Sequence, residues 1–475
     1  MKTIKKILPL SLLMAISGAV LGESESNHKI ELIEGEFPIR STPEKPVLGI
    51  SSIRYDEKLN SLILLSDDTG TIRNQYWESG KARFYKLANS EWFDEKGNLN
   101  TSSFNLVEQV EIQPNDSVAW INHGHVDTES LAIADDLVSK GNSIGREGYF
   151  IASENGATYP VTFTNSSLSS YFPEFHRPEY FVQPKILHVN RAGELLGSYQ
   201  FPEYYSDNAY SPDWLSNSLG WKKQGILRNK GIESLDRIKG TNNYIAITEG
   251  PLQQDSRVWK KTHKDVSEND IKYTCAEEDY GPAPSRLIEF SGDDLSYGSG
   301  KDQILPKGEY LYQHDDREIK EIVKQKMGVV DIKNIKNRKG ITDVQVVNDK
   351  YALVLERNFI SEKETGENKK YSATEVYKVK LRSSIDIAGS AEIHDGVFEY
   401  CGNKVLEKEL LFRSTDYEGR NASFDTLNIE GLTFGPDFPD GSKLLILVND
   451  NGANDEDAPN TYLIFFKVSK SLFND

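Results

Sequence analysis

Cysteine is almost missing from this chain of 475 residues, which contains only Cys275 and Cys401. Disulfides are common in small exported domains that cannot build a sufficient core, whereas a chain of several hundred residues buries enough apolar surface without them. One bridge would therefore be a local staple at most. The sequence leaves open whether the two cysteines pair or remain as thiols.

Long apolar runs are also missing, except at the start of the chain. Residues 1–22 combine three lysines with an apolar stretch that ends in small residues before Glu23, which is the pattern of a cleaved secretory signal peptide. An uncleaved membrane anchor is the alternative, but about 15 apolar-leaning residues are few against the roughly 20 that span a bilayer. We therefore expect a periplasmic or secreted protein with no membrane insertion after cleavage. Residues 23–44 would form an N-terminal arm and residues 45–470 a single domain.

Positive charge is in deficit, because 55 Lys and Arg residues stand against 73 Asp and Glu residues and the formal net charge is −18. Nucleic acids and anionic lipids are bound through clustered Lys and Arg side chains. The composition therefore argues against both as partners. It is compatible with the binding of divalent cations.

Patterns typical of long helices are scarce. The best one, residues 316–327, places Ile319, Ile322 and Val323 on one face and predicts an inserted helix. Many short apolar runs end in turn residues, and the chain contains 23 Tyr, 20 Phe and 35 Gly. These features favour strands, and we predict an all-β fold.

An internal repeat is the most informative feature of the sequence. A segment with an acidic residue beside a small or apolar one is followed by a strand that ends in a carboxylate. The copies are Gly49–Ile53 with Ser61–Asp68, Asp127–Ile133 with Tyr149–Asn155, Gly231–Leu235 with Tyr244–Gly250, Gly340–Gln345 with Tyr351–Arg357, and Asn428–Leu432 with Lys443–Asp450. Such a period indicates one supersecondary unit that recurs.

The copies begin about 80 to 110 residues apart, whereas a minimal propeller blade needs about 40 to 45. Further strands follow each copy, and antiparallel strands repeated as blades form a β-propeller with only short, protected edges. Either insertions decorate each blade or one interval hides a blade without the motif. We predict six blades with long insertions.

Equivalent positions of successive blades meet around the central channel, so the repeated carboxylates should converge. Gathered like charges repel each other, and a metal, a Lys or Arg side chain, or protons must offset them. Oxygen donors without clustered Cys suit Ca²⁺ or Mg²⁺ better than Zn²⁺. The alternative for each acid is a structural role, in which it caps a turn or pairs with Arg or Lys between blades.

Two other groups of polar residues could bind metals. An extended strand would place His123, His125, Asp127 and Glu129 on one face, as a transition metal requires, although the glycine between the histidines favours a loop equally. Residues 449–457 are rich in oxygen donors but lack the spacing of an EF-hand loop. We interpret the second half of this segment as a solvated turn.

Several segments resemble those of a known family, and they occur in that family's order from about residue 45 to 468. They are Leu65–Gly70, Ala82–Tyr85, Asp127–Ala132, Asn229–Leu235, Glu249–Asp255, Glu309–Tyr312, Leu355–Arg357, Asn428–Leu432 and Asn449–Asn451. As a set they resemble the phytase-like domain family, whose members are exported and are described as having esterase-like or phytase-like activity. The resemblance implies a β-propeller related in architecture to calcium-dependent propeller phytases.

The resemblance also implies a mechanism, in which Ca²⁺ activates a water molecule that hydrolyses a phosphoric ester without a covalent intermediate. Glu233 and Glu249 would hold or deprotonate this water, and Lys230, Arg357 and Arg228 would bind the substrate. The expected calcium ligands are Asp67, Asp68, Glu129, Glu154, Glu356, Glu430 and Asp450.

We expect a monomer that acts on a small anionic or phosphorylated substrate. Two other functions fit the same residues. A non-catalytic propeller could bind a ligand or an envelope partner and use metal only for stability. A hydrolase for carboxylic esters or lactones could also use a carboxylate-lined funnel.

Overall fold

Short runs that are buried on both faces, such as those at residues 61–66 and 444–449, form the strands of this protein. Such runs are typical of strands that lie between two packed layers. The structure is a computed structural model, and it describes residues 30–39, 47–67, 82–113, 126–134, 138–139, 142–143, 147–156, 184–206, 224–226, 230–255, 283–295, 303–314, 335–362, 370–390, 405–417, 427–451 and 460–473. Within these ranges, no helix has the length and apolar character that a bilayer crossing requires.

The strands form five four-stranded antiparallel sheets, each of which runs from an inner strand to an outer strand. Blade one contains β2 (Ile50–Asp56), β3 (Ser61–Ser66), β4 (Arg83–Asn89) and β5 (Phe104–Glu111). Blade two contains β6 (Val126–Ile133), β9 (Tyr149–Gly156), β10 (Lys185–Val189) and β11 (Leu195–Gln200), and a separate hairpin contains β7 (Val138–Ser139) and β8 (Asn142–Ser143). Blade three contains β12 (Ile232–Arg237), β13 (Asn243–Thr248), β14 (Ser285–Ser291) and β15 (Pro306–Tyr312). Blade four contains β16 (Ile335–Val346), β17 (Tyr351–Glu362), β18 (Lys370–Lys380) and β19 (Lys408–Arg413). Blade five contains β20 (Asn428–Phe434), β21 (Lys443–Asp450), β22 (Tyr462–Val468) and β1 (Ile30–Pro38).

The inner strands contact each other in a closed ring, in the order β2, β6, β12, β16, β20 and back to β2. The all-β propeller is therefore confirmed. The prediction of six blades is wrong, because each of the five sheets contains one copy of the repeat. The closed ring of the five described inner strands leaves no place for a blade without the motif.

The first strand of the chain closes the ring. β1 lies in the segment that we expected to be an arm, and it pairs antiparallel with β22 as the outer strand of blade five. The beginning and the end of the described chain thus share one sheet, a connection that holds the last blade to the first.

Apolar side chains pack between adjacent blades, because each sheet has another blade on either side. Alternation along β3 sends Ile63 and Leu65 to the cluster shared with blade two, and Leu62 and Leu64 to the cluster shared with blade five. Similar clusters lie at the other three interfaces. Burial of both faces explains why the strands read as continuous apolar runs.

Each inner strand carries a β-bulge, which lies in the first half of the strand except in β16, where seven residues precede it. The residues that the register skips at these bulges are Ser51, Glu129, Glu233, Thr342 and Glu430, and in β6 the register shifts a second time at Asp127. A bulge bends the strand and re-aims the extra side chain. The repeated bulge therefore creates a set of equivalent positions at one end of the inner strands, and glutamate occupies three of them.

Arg54 of β2 closes the central channel beyond these bulges. Its guanidinium donates to backbone carbonyls that occupy one equivalent position in four inner strands, those of Ile53, Leu235, Val344 and Leu432. It also donates two hydrogen bonds to the carboxylate of Asp343, at 2.7 and 2.8 Å. Both side chains are buried, with 3% and 0% of their surface exposed. The pair therefore ties together strands from blades one, three, four and five.

Polar side chains also link each inner strand to the next. Ser130 Oγ accepts a hydrogen bond from the backbone N–H of Leu235 at 3.0 Å, and Asp343 accepts one from Leu432 at 2.9 Å. Gly431 occupies the equivalent position in blade five, where a Cβ atom would lie only 3.0 Å from the backbone nitrogen of Ile53. These contacts fix how closely the inner strands approach each other.

We expect Arg54→Met to lower the free energy of unfolding by about 3–5 kcal/mol, because it leaves the buried carboxylate of Asp343 without its cation. Urea unfolding followed by circular dichroism measures the change. The control is Lys380→Met, which removes a solvent-exposed contact with Glu407 and should leave the midpoint nearly unchanged. Equal midpoints for both variants would show that the axial ion pair does not constrain the ring.

Candidate functional site

The second strand of each blade brings a further residue to the same end of the propeller as the bulges, because antiparallel neighbours run in opposite directions. The bulge residues are preceded by Ile50, Thr128, Ile232, Ile341 and Ile429, which pair with Ser66, Ser153, Thr248, Glu356 and Asn449. The next residues along the second strands are Asp67, Glu154, Glu249, Arg357 and Asp450. We call these five residues and the five bulge residues the mouth.

Blade four departs from the pattern that we predicted. Counting acids along the sequence pairs Asp343 with Glu356, but the bulge is at Thr342 and the mouth position of the second strand is Arg357. Both acids are therefore one residue away from the equivalent positions. Since side chains alternate along a strand, Glu356 and Arg357 point to opposite faces of the sheet.

Three predicted calcium ligands come together where blade five meets blade one. One carboxylate oxygen from each of Asp67, Glu430 and Asp450 lies within 4.8 Å of the other two, and we call this group the triacid cluster. Asn451 holds the two blades in register, because its Oδ1 atom accepts a hydrogen bond from the backbone N–H of Gly49 at 3.0 Å. The carbonyl of Gly49 in turn accepts a hydrogen bond from the N–H of Asp67 at 2.8 Å.

Asn428 lies beside the triacid cluster and was not predicted as a site residue. Its amide nitrogen donates to Glu430 Oε1 at 2.9 Å and to Asp450 Oδ2 at 3.2 Å. The side chain thus holds two of the three carboxylates at a fixed separation. In the sequence, only its position two residues before Glu430 in the repeat indicated that Asn428 could belong to the site.

The predicted substrate-binding cations contact acids of the mouth. Arg357 forms hydrogen bonds with Glu430 through Nη1 and with Glu249 through Nη2, the latter at 3.2 Å. Lys230 Nζ lies 2.8 Å from the same oxygen of Glu249 and donates to the carbonyl of Lys339 at 3.0 Å. Glu249, proposed from the sequence as a catalytic residue, is buried and holds both cations.

Gly340 makes room for the carboxylate of Glu249. A Cβ atom at this position would lie 2.0 Å from Glu249 Oε1, which is far closer than two non-bonded atoms approach. The glycine of the fourth repeat copy is therefore required for Glu249 to reach Lys230 and Arg357.

Carboxylates outnumber cations in these charge contacts of the described mouth residues. Those of Asp67, Glu249, Glu430 and Asp450 lie near the cations of Lys230 and Arg357. Three carboxylates within a few ångströms, with no Cys among them, are a donor set that suits Ca²⁺ or Mg²⁺, so the residues fit the ion that the sequence predicts.

The remaining predicted residues are placed as follows. Glu129 is buried and Glu233 half-buried, each at the bulge of its inner strand. Glu154 lies in β9, and its side chain is outside the described residues, as are Asp68 and Arg228. Also outside them are residues 1–22, His123, His125, the predicted helix at 316–327, both cysteines and residues 452–459.

Glu356 does not join the triacid cluster. Its Oε1 atom accepts hydrogen bonds from Lys408 Nζ and from the hydroxyl of Tyr312, both at 2.6 Å. Burial alone would raise the pKa of Glu356, but the nearby cations of Lys408 and Lys339 hold it well below its usual range. The carboxylate is therefore the counter-ion of a buried cationic group between blades three and four.

A serine, a histidine and an acid lie in a row that ends at Glu356. Ser285 Oγ is 2.9 Å from His314 Nε2, and His314 Nδ1 is 3.7 Å from Glu356 Oε2. Burial lowers the pKa of His314, so its imidazole is neutral at pH 7. Ser285 is fully buried, however, and the second distance exceeds that of a hydrogen bond. We therefore assign a structural role to this group.

A second serine, Ser143, lies in a Gly-x-Ser-x-Gly pattern at residues 141–145. The nucleophile of an α/β-hydrolase sits on a sharp turn between a strand and a helix. Ser143 instead belongs to β8 of the short hairpin. The pattern therefore gives no support for a serine hydrolase of that fold.

Two solved structures show distant similarity to this chain. The α-L-arabinofuranosidase Arb93A from Fusarium graminearum has a TM-score of 0.32 and 8% sequence identity, with 93% of this chain and 98% of that chain covered. The extracellular domains 1–2 of Drosophila semaphorin 1a have a TM-score of 0.30 and 10% identity, with 94% and 89% covered. Similarity at this level carries no argument about function. No curated protein matches the chain.

The family comparison is more specific. The model of the phytase-like family, described as "Esterase-like activity of phytase", matches residues 45–453. This range begins just before β2 and ends just after β21, so it contains both strands that carry the mouth residues in every blade. The chain belongs to the phytase-like family.

Proposed function

We propose that the protein is an exported, calcium-dependent phosphoesterase that hydrolyses a small phosphorylated substrate at the mouth. The family and the propeller fold support a hydrolase-type function. The observation that carries the proposal is the triacid cluster beside Arg357, since it offers a divalent cation and a phosphoryl group adjacent positions.

Asp67, Glu430 and Asp450 would hold the ion. When bound there, Ca²⁺ supplies positive charge that lowers the pKa of a coordinated water molecule and neutralises phosphoryl oxygens. Arg357 and Lys230, whose side chains are 23% and 28% exposed, would contact the remaining phosphoryl oxygens. Hydrolysis by water needs no covalent intermediate, in agreement with the burial of Ser285.

The two predicted catalytic acids have different surroundings. Glu249 is buried and pairs with Lys230 and Arg357, so its proposed task is to hold the two cations. Glu233 is half-buried at the bulge of β12, where solvent reaches it. We therefore propose Glu233 as the base that takes a proton from the attacking water.

The first prediction about the proposed activity is metal-dependent release of phosphate from p-nitrophenyl phosphate. Chelation should abolish the activity, and Ca²⁺ should restore it, because the triacid cluster needs a cation. A chelated protein that melts at lower temperature but never cleaves an ester would instead indicate a non-catalytic, metal-stabilised propeller. Cleavage of a lactone without cleavage of the phosphate would indicate a carboxylic ester or lactone hydrolase.

The second prediction concerns the ligands of the ion. Glu430→Gln and Asp450→Asn should each weaken Ca²⁺ binding by at least about tenfold in titration calorimetry, because each removes one negative donor. Asp437→Asn is the matched control, since Asp437 belongs to the same blade but forms a surface ion pair with Lys443. Equal affinities for all three variants would place the calcium site elsewhere.

The third prediction tests the base. Glu233→Gln should lower kcat by about 10²- to 10⁴-fold, the usual contribution of a general base, and leave Ca²⁺ affinity unchanged. Glu249→Gln should also raise KM for the phosphate ester, because it releases the cations that we propose to bind it. A Glu233→Gln enzyme with full kcat would remove Glu233 from the mechanism.

A further inference from the structure

We infer that Arg357 is a shared group, held by Glu430 in the absence of metal and released toward the substrate's phosphoryl group when a cation binds the triacid cluster. The inference rests on the proposed function and specifies how the cation site at the triacid cluster and the phosphate site at Arg357 affect each other. It makes the binding of metal and of phosphate mutually dependent.

Arg357 occupies the position at which the other four blades carry Asp67, Glu154, Glu249 and Asp450. A guanidinium therefore stands at the one equivalent position that lacks a carboxylate. Its two terminal nitrogens contact Glu249 of blade three and Glu430 of blade five. The side chain thus bridges two acids from the blades on either side of its own.

Glu430 takes part in both the cation site and the phosphate site. It is a member of the triacid cluster, and its Oε1 atom accepts hydrogen bonds from Arg357 and from the amide of Asn428. One carboxylate cannot fully neutralise both a guanidinium and a divalent cation. A cation at the cluster therefore weakens the attraction between Glu430 and Arg357, and its positive charge also repels the guanidinium.

Arg357 has unused capacity to bind an anion. Its Nε atom is buried and makes no hydrogen bond, and an unsatisfied buried donor is energetically costly. A phosphoryl group that accepts from Nε and from one terminal nitrogen would satisfy this donor in the forked geometry that guanidinium groups favour. Of the whole side chain 23% is exposed, so a small anion can approach it, and Nε becomes accessible once Arg357 moves away from Glu430.

Thermodynamic linkage follows from these contacts. If a cation releases Arg357 for phosphate, bound phosphate must strengthen the binding of the cation by the same factor. Typical coupling between two such sites is about 5- to 150-fold in affinity. The ligand class is a phosphate anion, because its oxygens must replace the carboxylate of Glu430 as partners of Arg357.

Titration calorimetry on the full mature chain tests the inference, with Ca²⁺ and inorganic phosphate as probes, kept below the concentrations at which they precipitate together. In the wild type, each ligand should tighten the binding of the other by at least about fivefold. Arg357→Met should bind Ca²⁺ more tightly than the wild type, because it removes a competitor for Glu430, and it should lose the linkage. Lys230→Met is the matched control: it removes the same charge next to Glu249 and not Glu430, so the linkage should persist.

The possible failures are distinguishable. Unchanged or weaker Ca²⁺ binding in Arg357→Met, or linkage that survives this substitution, overturns the inference and leaves the proposed function standing. Absence of Ca²⁺ binding in both the wild type and Arg357→Met overturns the proposed function itself. If Arg357→Met does not fold, Arg357→Lys serves instead, since a single ammonium cannot satisfy Glu249, Glu430 and phosphate as a fork does, and the linkage should fall. Full linkage in Arg357→Lys contradicts the inference.

Discussion

The ion pair of Arg54 and Asp343 is the constraint on which the rest of the propeller depends. Arg54 donates to carbonyls of four inner strands, and Asp343 accepts from Arg54 and from the backbone of blade five. Burial raises the pKa of Asp343, and the adjacent guanidinium opposes this rise. Because the pair fixes the inner strands at a common level, their bulges also share one level, and side chains from different blades can meet at the mouth.

The equivalent mouth positions of the five blades do not carry equivalent residues, and their contacts differ from one side of the mouth to the other. Lys230 and Arg357, from blades three and four, both pair with Glu249. Asp67, Glu430 and Asp450, from blades five and one, lie together, and Glu430 also contacts Arg357 and Asn428. The proposed cation site therefore lies on the side of blades five and one.

The sequence predicted the all-β propeller and every acid of the mouth, because a repeated acid next to a strand end is visible without coordinates. It misplaced the register of blade four, because the bulge at Thr342 does not appear as a change of composition. An acid also stands next to each of the two mouth positions of this blade, Asp343 beside Thr342 and Glu356 beside Arg357. It did not predict Arg54, because one arginine within a strand carries no sign that it faces a channel. The blade count failed because insertion lengths are independent of the number of strands that pack around the axis.

The triacid cluster also lies at the seam where the ring closes. Asp67 belongs to blade one, whereas Glu430 and Asp450 belong to blade five, which is completed by the first strand of the chain. Asn451 and Thr461 hold the same seam by hydrogen bonds to the carbonyl of Val47. A ligand that binds only the folded state stabilises it, so a cation that bridges these blades would strengthen ring closure as well as the site. Such a cation would therefore act on stability and on the proposed hydrolysis through the same three carboxylates.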